Sequence, residues 1–576
     1  MFASFTRSHR LFHARNSAPS STLNIVSLTV MLAMAVSLVA SPAAAQEKQK
    51  KDQPKQQNFF FFPGNLVVSR SVYDNNPNNV QVGQVLPPNC ASTTGGCAAS
   101  TGAPYDGTYP LVWNDNTYDG SFGITSKIYL DQMLPFGFVI NSLEVPNSSE
   151  RGITAASDQM VTSFSSKSEL ALNLSNDGRY VTFMGYVAPI DAIDLSNANT
   201  PGAVDPTNPV GENVIRAVAQ VDRYGKFQFT ESNAYSGNNG RAAILNHSHG
   251  SSLIYTSGNA GNGSNPQPVG IILGAGTQIL SPANAPESAQ NPGTPTPVGS
   301  FNITQLGYTA DKIGKDDNFR GLTLFNNVLY YSKGSGGNGV NTVYFLDATG
   351  TACPNGVGLP SPGATLPTAP LSYVAANLQT TGLPSNMCIL AGFPAIPNKF
   401  ATTTAYPFGI WFANPTTLYI ADEGDGYAGG TDLFTHAAAQ TTAGLQKWVF
   451  NSSTNSWNLA YTLQTGLKLG LPYTVRDYPT GNNPVTGLPW TPATDGLRNI
   501  TGATGEGYAA IWGITSTVSG NGDQGADPNQ LVVVFDSLSN TDPTVGMNER
   551  FFTLRQARSG EVLRGVSFTP GTGTDR

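Results

Sequence analysis

The sequence predicts an all-β fold, a single β-propeller of six blades, and three observations carry that reading. The first is composition: 576 residues hold 62 Gly and 40 Pro, and only 12% are charged. Such a chain suits many short strands joined by turns and long polar loops. The second is a repeat in which a short apolar run, a tight turn and an aromatic or β-branched run precede a flexible Gly-rich loop. The third is that the last copy is cut short at the C-terminus, while strand-like runs near the N-terminus lack a unit of their own. A ring of four-stranded antiparallel blades accounts for all three.

The units follow in order. A weak copy, ELALNLSNDGRYVTFMGY, starts at Glu169, and RAAILNHSHGSSLIYTSGNAGNG starts at Arg241. RGLTLFNNVLYYSKGSGGNG starts at Arg320, FGIWFANPTTLYIADEGDG at Phe408, RNITGATGEGYAAIWGITSTVSGNG at Arg498 and the truncated RGVSFTPGTG at Arg564. Third strands are expected at ENVIRAVAQV, PVGIILGAG, NTVYFLD, GLQKWVF and NQLVVVFD, and fourth strands at KFQFTES, GSFNITQL, NSWNLAYTL and ERFFTLR. A bare blade needs roughly 40–50 residues. Successive starts lie 66 to 90 residues apart, so long loops are inserted. The missing strands of the last unit are expected at residues 65–72, 126–133 and 138–145, which closes the ring from both termini and removes its exposed edges. A seventh blade stays open, because the stretch 348–405 is long and contains LSYVAANL. The grouping of two strands, loop, two strands disfavours a β-sandwich pair or a β-helix.

YPFGIWFANPTTLYIADEGDG, residues 406–426, resembles an NHL-type blade: a Pro-x-Gly-apolar opening, a turn, and an apolar-Tyr-apolar-Ala-Asp strand end. Pro407, Gly409, Tyr419, Ala421 and Asp422 match that shape, and the unit from Arg320 is a looser copy. The whole chain is similar to uncharacterised secreted β-propeller proteins, through the segments at 320–345 and 563–571. The resemblance implies the propeller and no particular activity.

Residues 1–22 carry Arg7, Arg10 and Arg15 without an acid, residues 23–40 are apolar, and Ala43 and Ala45 offer a small-residue cleavage site. Residues 1–45 therefore read as a secretory signal peptide, with an uncleaved anchor as the alternative. Residues 46–62 read as a disordered spacer ending in four phenylalanines, and residues 63–576 as the propeller. Loss of the three leader arginines would move the net charge from −7 to −10, which argues against nucleic acid or an anionic membrane as partner. A secreted or periplasmic monomer without a membrane span is expected. In an oxidising compartment the economical disulfide pairing is Cys90–Cys97 and Cys353–Cys388.

In a propeller the first strand of each blade lines the central channel. Four units open with arginine, so Arg241, Arg320, Arg498 and Arg564 are expected around one mouth. There they could recognise carboxylate, phosphate or sugar hydroxyls, or lock adjacent blades together. The loop after the second strand of the fourth unit concentrates acid: Asp422, Glu423, Asp425 and Asp432 could bind Ca²⁺ through hard oxygen ligands. That unit also has Phe408 where four others have arginine. His247 and His249 have chelate spacing but fall in a turn, and His436 has no visible partner. The sequons at Asn147, Asn302 and Asn451 matter where the host glycosylates. No nucleophile motif or nucleotide-binding glycine loop is present. Two functions follow. One is a binding module for an extracellular glycan, peptide or protein. The alternative is a Ca²⁺-dependent hydrolase or lyase of the lactonase type, with Glu169, Asn499 and Asp422 at the channel mouth.

Overall fold

A computed structural model describes residues 59–573 except 75, 77, 80, 84–123, 148–158, 193–214, 233–234, 236–238, 248–251, 260–275, 283–296, 300, 310–316, 335–336, 338, 350, 362–365, 368–386, 485 and 521–524. Cys90, Cys97, His249, LSYVAANL and nearly all of PVGIILGAG lie outside the described residues.

The chain opens with β1 (Leu66–Val72), β2 (Thr125–Met133) and β3 (Val139–Glu144), with the two-residue β4 (Thr162–Ser163) paired to β2. Next come β5 (Asn173–Leu174), β6 (Tyr180–Val187), β7 (Ile215–Asp222) and β8 (Phe227–Ser232), hydrogen-bonded in that order as the first complete blade. The second blade is β9 (Gly240–Asn246), β10 (Leu253–Gly258), β11 (Thr277–Leu280) and β12 (Pro297–Gly299). The third holds β13 (Leu322–Phe325), β14 (Val328–Lys333) and β15 (Thr342–Leu346); β16 (Val357–Gly358) runs parallel to β17 (Met387–Leu390), which pairs with β15. The fourth is β18 (Pro407–Asn414), β19 (Thr417–Asp422), β20 (Gly444–Asn451) and β21 (Ser456–Leu463). The fifth is β22 (Ala493–Gly505), β23 (Tyr508–Val518), β24 (Gln530–Ser537) and β25 (Phe552–Gln556). Finally β26 (Glu561–Phe568) pairs with β1, giving a sixth blade in the order β26-β1-β2-β3.

The architecture is a six-bladed β-propeller. The inner strands β5, β9, β13, β18, β22 and β26 touch in that sequence, and β26 returns to β5. Closure from both termini is direct: Leu66 sits opposite Phe568 on one side and Met133 on the other. No seventh sheet occurs among the described residues, and the long 348–405 stretch supplies β16 and β17 to the third blade instead. The second blade corrects one expectation. Among the described residues its third strand is Thr277–Leu280, just after the expected 268–276, and its fourth is Pro297–Gly299. The predicted strand at 299–306 turns into a 3-10 helix at Ile303–Leu306, because Asn302 accepts from the Thr304 amide (2.9 Å) and Gly307, at φ 82°, ends the turn.

The core lies between blades rather than within one sheet. Val67 and Ile128 of the sixth blade pack with Phe183 and Val221 of the first, and Trp512 and Leu531 of the fifth pack with Leu66, Val566 and Phe568 of the sixth. Cys353 and Cys388 form a disulfide on the outer edge of the third blade. The compact unit runs from Asn58. Phe61 is fully buried beside Val67 and Val221, so the phenylalanine run docks on the fold. Asn147 and Asn302 are buried, which makes both sequons poor acceptors for a glycan. Among the described residues no helix is long and apolar enough to cross a membrane.

Candidate functional site

The four arginines stand at corresponding places near the start of β9 and β13 and within β22 and β26, and each is about 4% exposed. They do not act alike. Arg241 donates to Ser168 Oγ (2.8 Å), to the Phe319 carbonyl (2.8 Å) and to Asn318 Oδ1, so it ties the second blade to both neighbours. Arg564 donates to Ser71 Oγ (3.1 Å) and to the carbonyls of Ser166 and Phe164. Arg320 and Arg498 share one acid: Glu423 lies 3.7 Å from Arg320 Nε and 3.2 Å from Arg498 Nε. Burial works against the Glu423 carboxylate, but Lys167, Arg320 and Arg498 outweigh it and hold its pKa below the ordinary glutamate range. Burial lowers the Arg320 pKa, with Glu423 opposing that shift and Arg498 adding to it. The fourth blade, which opens without an arginine, therefore supplies the acid for the arginines on either side of it.

Two further predicted positions serve as bridges. Glu169 accepts from Thr162 Oγ1 (2.8 Å), the Ser163 amide (3.3 Å), Asn239 Nδ2 (2.8 Å) and the Tyr186 hydroxyl. Asn499 Oδ1 accepts from the Val566 amide (2.7 Å) of the next blade.

The remaining acids of the loop diverge. Asp422 is fully buried at the end of β19 and accepts from the amides of Tyr406 (2.9 Å) and Gly424 (2.9 Å) and from Gln446 Nε2 (3.2 Å). Asp432 accepts from the Tyr427 hydroxyl (3.0 Å). Asp425 turns outward and meets His436 Nε2 at 2.6 Å. His436 thus has a partner that the sequence did not reveal. It stands on helix α1 (Leu433–Ala439), and its ring stacks on Tyr427 with centroids 4.2 Å apart. A calcium ion needs six to eight oxygens around one point. The oxygens of these four acids are spent on different partners, and among the described residues no group of three or more His, Cys, Asp or Glu is arranged to hold a metal.

This loop carries a pH signature. Burial pushes the Asp495 carboxyl up to about 7, with Asp425 adding to it, and Asp422 up to about 6. The hydrogen bond to Asp425 raises His436 above its usual 6.5. An acid whose folded pKa exceeds its unfolded value loses stability as pH rises between the two values; a histidine raised by a partner loses it as pH rises through the folded value. Both act in the same direction. Amide exchange at Gly424, Gly426 and Tyr427, corrected for intrinsic rate, is expected to slow as pH falls from about 8 to about 5. Faster exchange in acid would refute the coupling.

A cavity opens at the opposite end of the inner strands. Three residues beyond each unit start stand Leu172, Ile244, Thr323, Trp411, Thr501 and Ser567, and all six line a space of about 590 Å³. Three residues of strand cover about 10 Å, which separates this mouth from the arginines. The Trp411 ring packs against Tyr419 with centroids 5.7 Å apart. It also covers Gly502, where a Cβ would come within 2.7 Å of the indole. Phe325 and Phe412 stack in parallel nearby, 4.5 Å apart. Asn326 and Asn327, both exposed at positive φ (47° and 59°), form the two-residue turn from β13 to β14. Asn173 and Asn176 add further amides, and among the described residues no Asp, Glu, His, Lys or Arg lines this space. The signal for this site was the repeat itself, read three positions later than its arginines.

No family model and no curated protein matches the chain, so the NHL likeness remains one of pattern. Among solved structures the chain is similar to an α-L-arabinofuranosidase from Fusarium graminearum, at 8% identity over 80% of this chain and 98% of that one, with a TM-score of 0.31. It is also similar to an ulvan lyase of polysaccharide lyase family PL25, at 10% identity over 88% and 97% of the two chains, with a TM-score of 0.28. Scores this low carry no argument about activity.

Proposed function

We propose that this chain is a secreted, non-catalytic binding module that takes an uncharged stretch of an extracellular glycan into the cavity around Trp411. The observation that carries the reading is the lining: an indole and two stacked phenyl rings beside amides and hydroxyls, without a titratable group among the described residues. Flat rings suit the apolar C–H faces of sugars. A few convergent amides and hydroxyls fix orientation through sugar hydroxyls. Acid–base catalysis needs a titratable group within hydrogen-bond reach of the reacting atoms, and the described residues of this lining offer none. A leader at residues 1–45 and the Cys353–Cys388 disulfide support an oxidising, extracytoplasmic setting. In this reading Arg241, Arg320, Arg498 and Arg564 lock blades together, with Glu423 and Asn499 as partners in the same role.

Calorimetric titration of the mature chain with neutral oligosaccharides tests the reading. Trp411→Ala is expected to lose about 2 kcal/mol or more of binding energy, the range of an aromatic hot spot, measured at a temperature where both variants are folded. Unchanged affinity in Trp411→Ala would overturn the site. Glycan turnover that survives this substitution and disappears in Glu169→Gln would favour the hydrolase or lyase alternative instead.

A further inference from the structure

Between the fourth and fifth blades lies a buried polar cluster that glycan binding does not use. Lys447 on β20 and Asp536 on β24 are both fully buried, and Nζ lies 2.7 Å from Oδ2. The carbonyls of Ser537 (2.6 Å) and Asn540 (2.8 Å) and the Tyr461 hydroxyl (3.1 Å) hold Nζ in place. Asp536 accepts from the Tyr461 hydroxyl at Oδ1 (2.6 Å) and from the Tyr419 hydroxyl at Oδ2. Glu549 approaches from the β24–β25 connection. Its Oε1 accepts from the Ser537 amide (3.0 Å), its Oε2 is buried with no donor directed at it, and its carboxyl lies within hydrogen-bond reach of Asp536. Two ionised carboxylates are both acceptors, so this contact requires a proton on one of them. Burial, followed by the Asp536 contact, pushes Glu549 well above the ordinary glutamate range.

We propose that Lys447, Asp536 and Glu549 form an intramolecular isopeptide bond, Nζ to Cγ, that staples the fourth blade to the fifth. One ammonium proton passes along the 2.7 Å contact to Asp536, leaving an amine and an acid. Nζ then attacks Cγ, and the Tyr419 and Tyr461 hydroxyls stabilise the oxygen that gains charge. Glu549 gives its proton to the departing hydroxyl and takes the surplus proton from nitrogen. One C–N bond forms, one C–O bond breaks, one water leaves, and Glu549 ends as it began. Fixed contact between the groups replaces an external activating agent.

Mass spectrometry of the mature protein, reduced and digested with trypsin, tests the proposal. The expected product is one linked species that joins the peptides containing Lys447 and Asp536, lighter than their sum by one water, with no cleavage after Lys447. Glu549→Gln is expected to keep the wild-type melting transition before linkage and to yield the two peptides separately. Lys447→Arg, which lacks the amine, serves as the unlinked standard. Separate peptides of unmodified mass from the wild type would overturn the bond. Full linkage in Glu549→Gln would overturn the role given to Glu549.

Discussion

Glu423→Ala is expected to cost about 3–5 kcal/mol of stability, the range for breaking a buried ion pair by removing one partner. The carboxylate is the acid that Arg320 and Arg498 share, and both arginines are about 4% exposed. Without it two guanidiniums face each other out of water. Glu423→Gln keeps the shape but not the charge and should fall between wild type and alanine. The pH dependence provides a second check. The Glu423 pKa is lowered from 4.5 in the folded state. Its stabilisation is therefore fully present above about 4.5 and is lost as pH falls through the lower, folded value. Denaturant titration should show the gap between wild type and Glu423→Ala closing in acid. A gap that is equally wide at neutral and strongly acidic pH would mean that charge is not the cause.

Deleting residues 561–576 is expected to abolish cooperative folding. Those residues hold β26, which pairs along the whole of β1 and touches β22 and β5. Leu563, Val566 and Phe568 leave the core they share with Leu66, Val68 and Trp512. Each buried apolar side chain contributes about 1.5–3 kcal/mol, and whole domains retain only about 5–15 kcal/mol of net stability. The ladder to β1 and the three bonds of Arg564 are lost in addition. The truncated chain should lack a sharp thermal transition, and a synthetic peptide of residues 558–576 added in trans should restore one. A truncated chain that melts at the wild-type temperature would show that the terminal strand does not close the ring.

The propeller was legible because its evidence is local. Apolar alternation, tight turns and Gly-rich loops recur within a few residues of one another, and the six unit starts fall within or just before the inner strands. The missing strands of the last blade could be found because their patterns also stand alone. The second blade was misread where a local device prevailed, the Asn302 cap that turns a strand-like run into a 3-10 helix. The acid loop shows the same limit. Asp422, Glu423 and Asp425 lie within four positions of one another, yet one is fixed by backbone amides, one by arginines of two other blades and one by a histidine on a helix.

The sequence by itself marked six repeated units, the inner strand of each and the joining of the two termini, since strand and turn propensities act between neighbours in the chain; that the 348–405 stretch adds strands to the third blade came from the structure. Only the tertiary structure decided which of four equivalent arginines share an acid, which mouth of the channel holds a cavity, and that Lys447 meets Asp536. Those outcomes depend on side chains brought together from positions tens to hundreds of residues apart, where no periodicity in the chain records which atoms will touch.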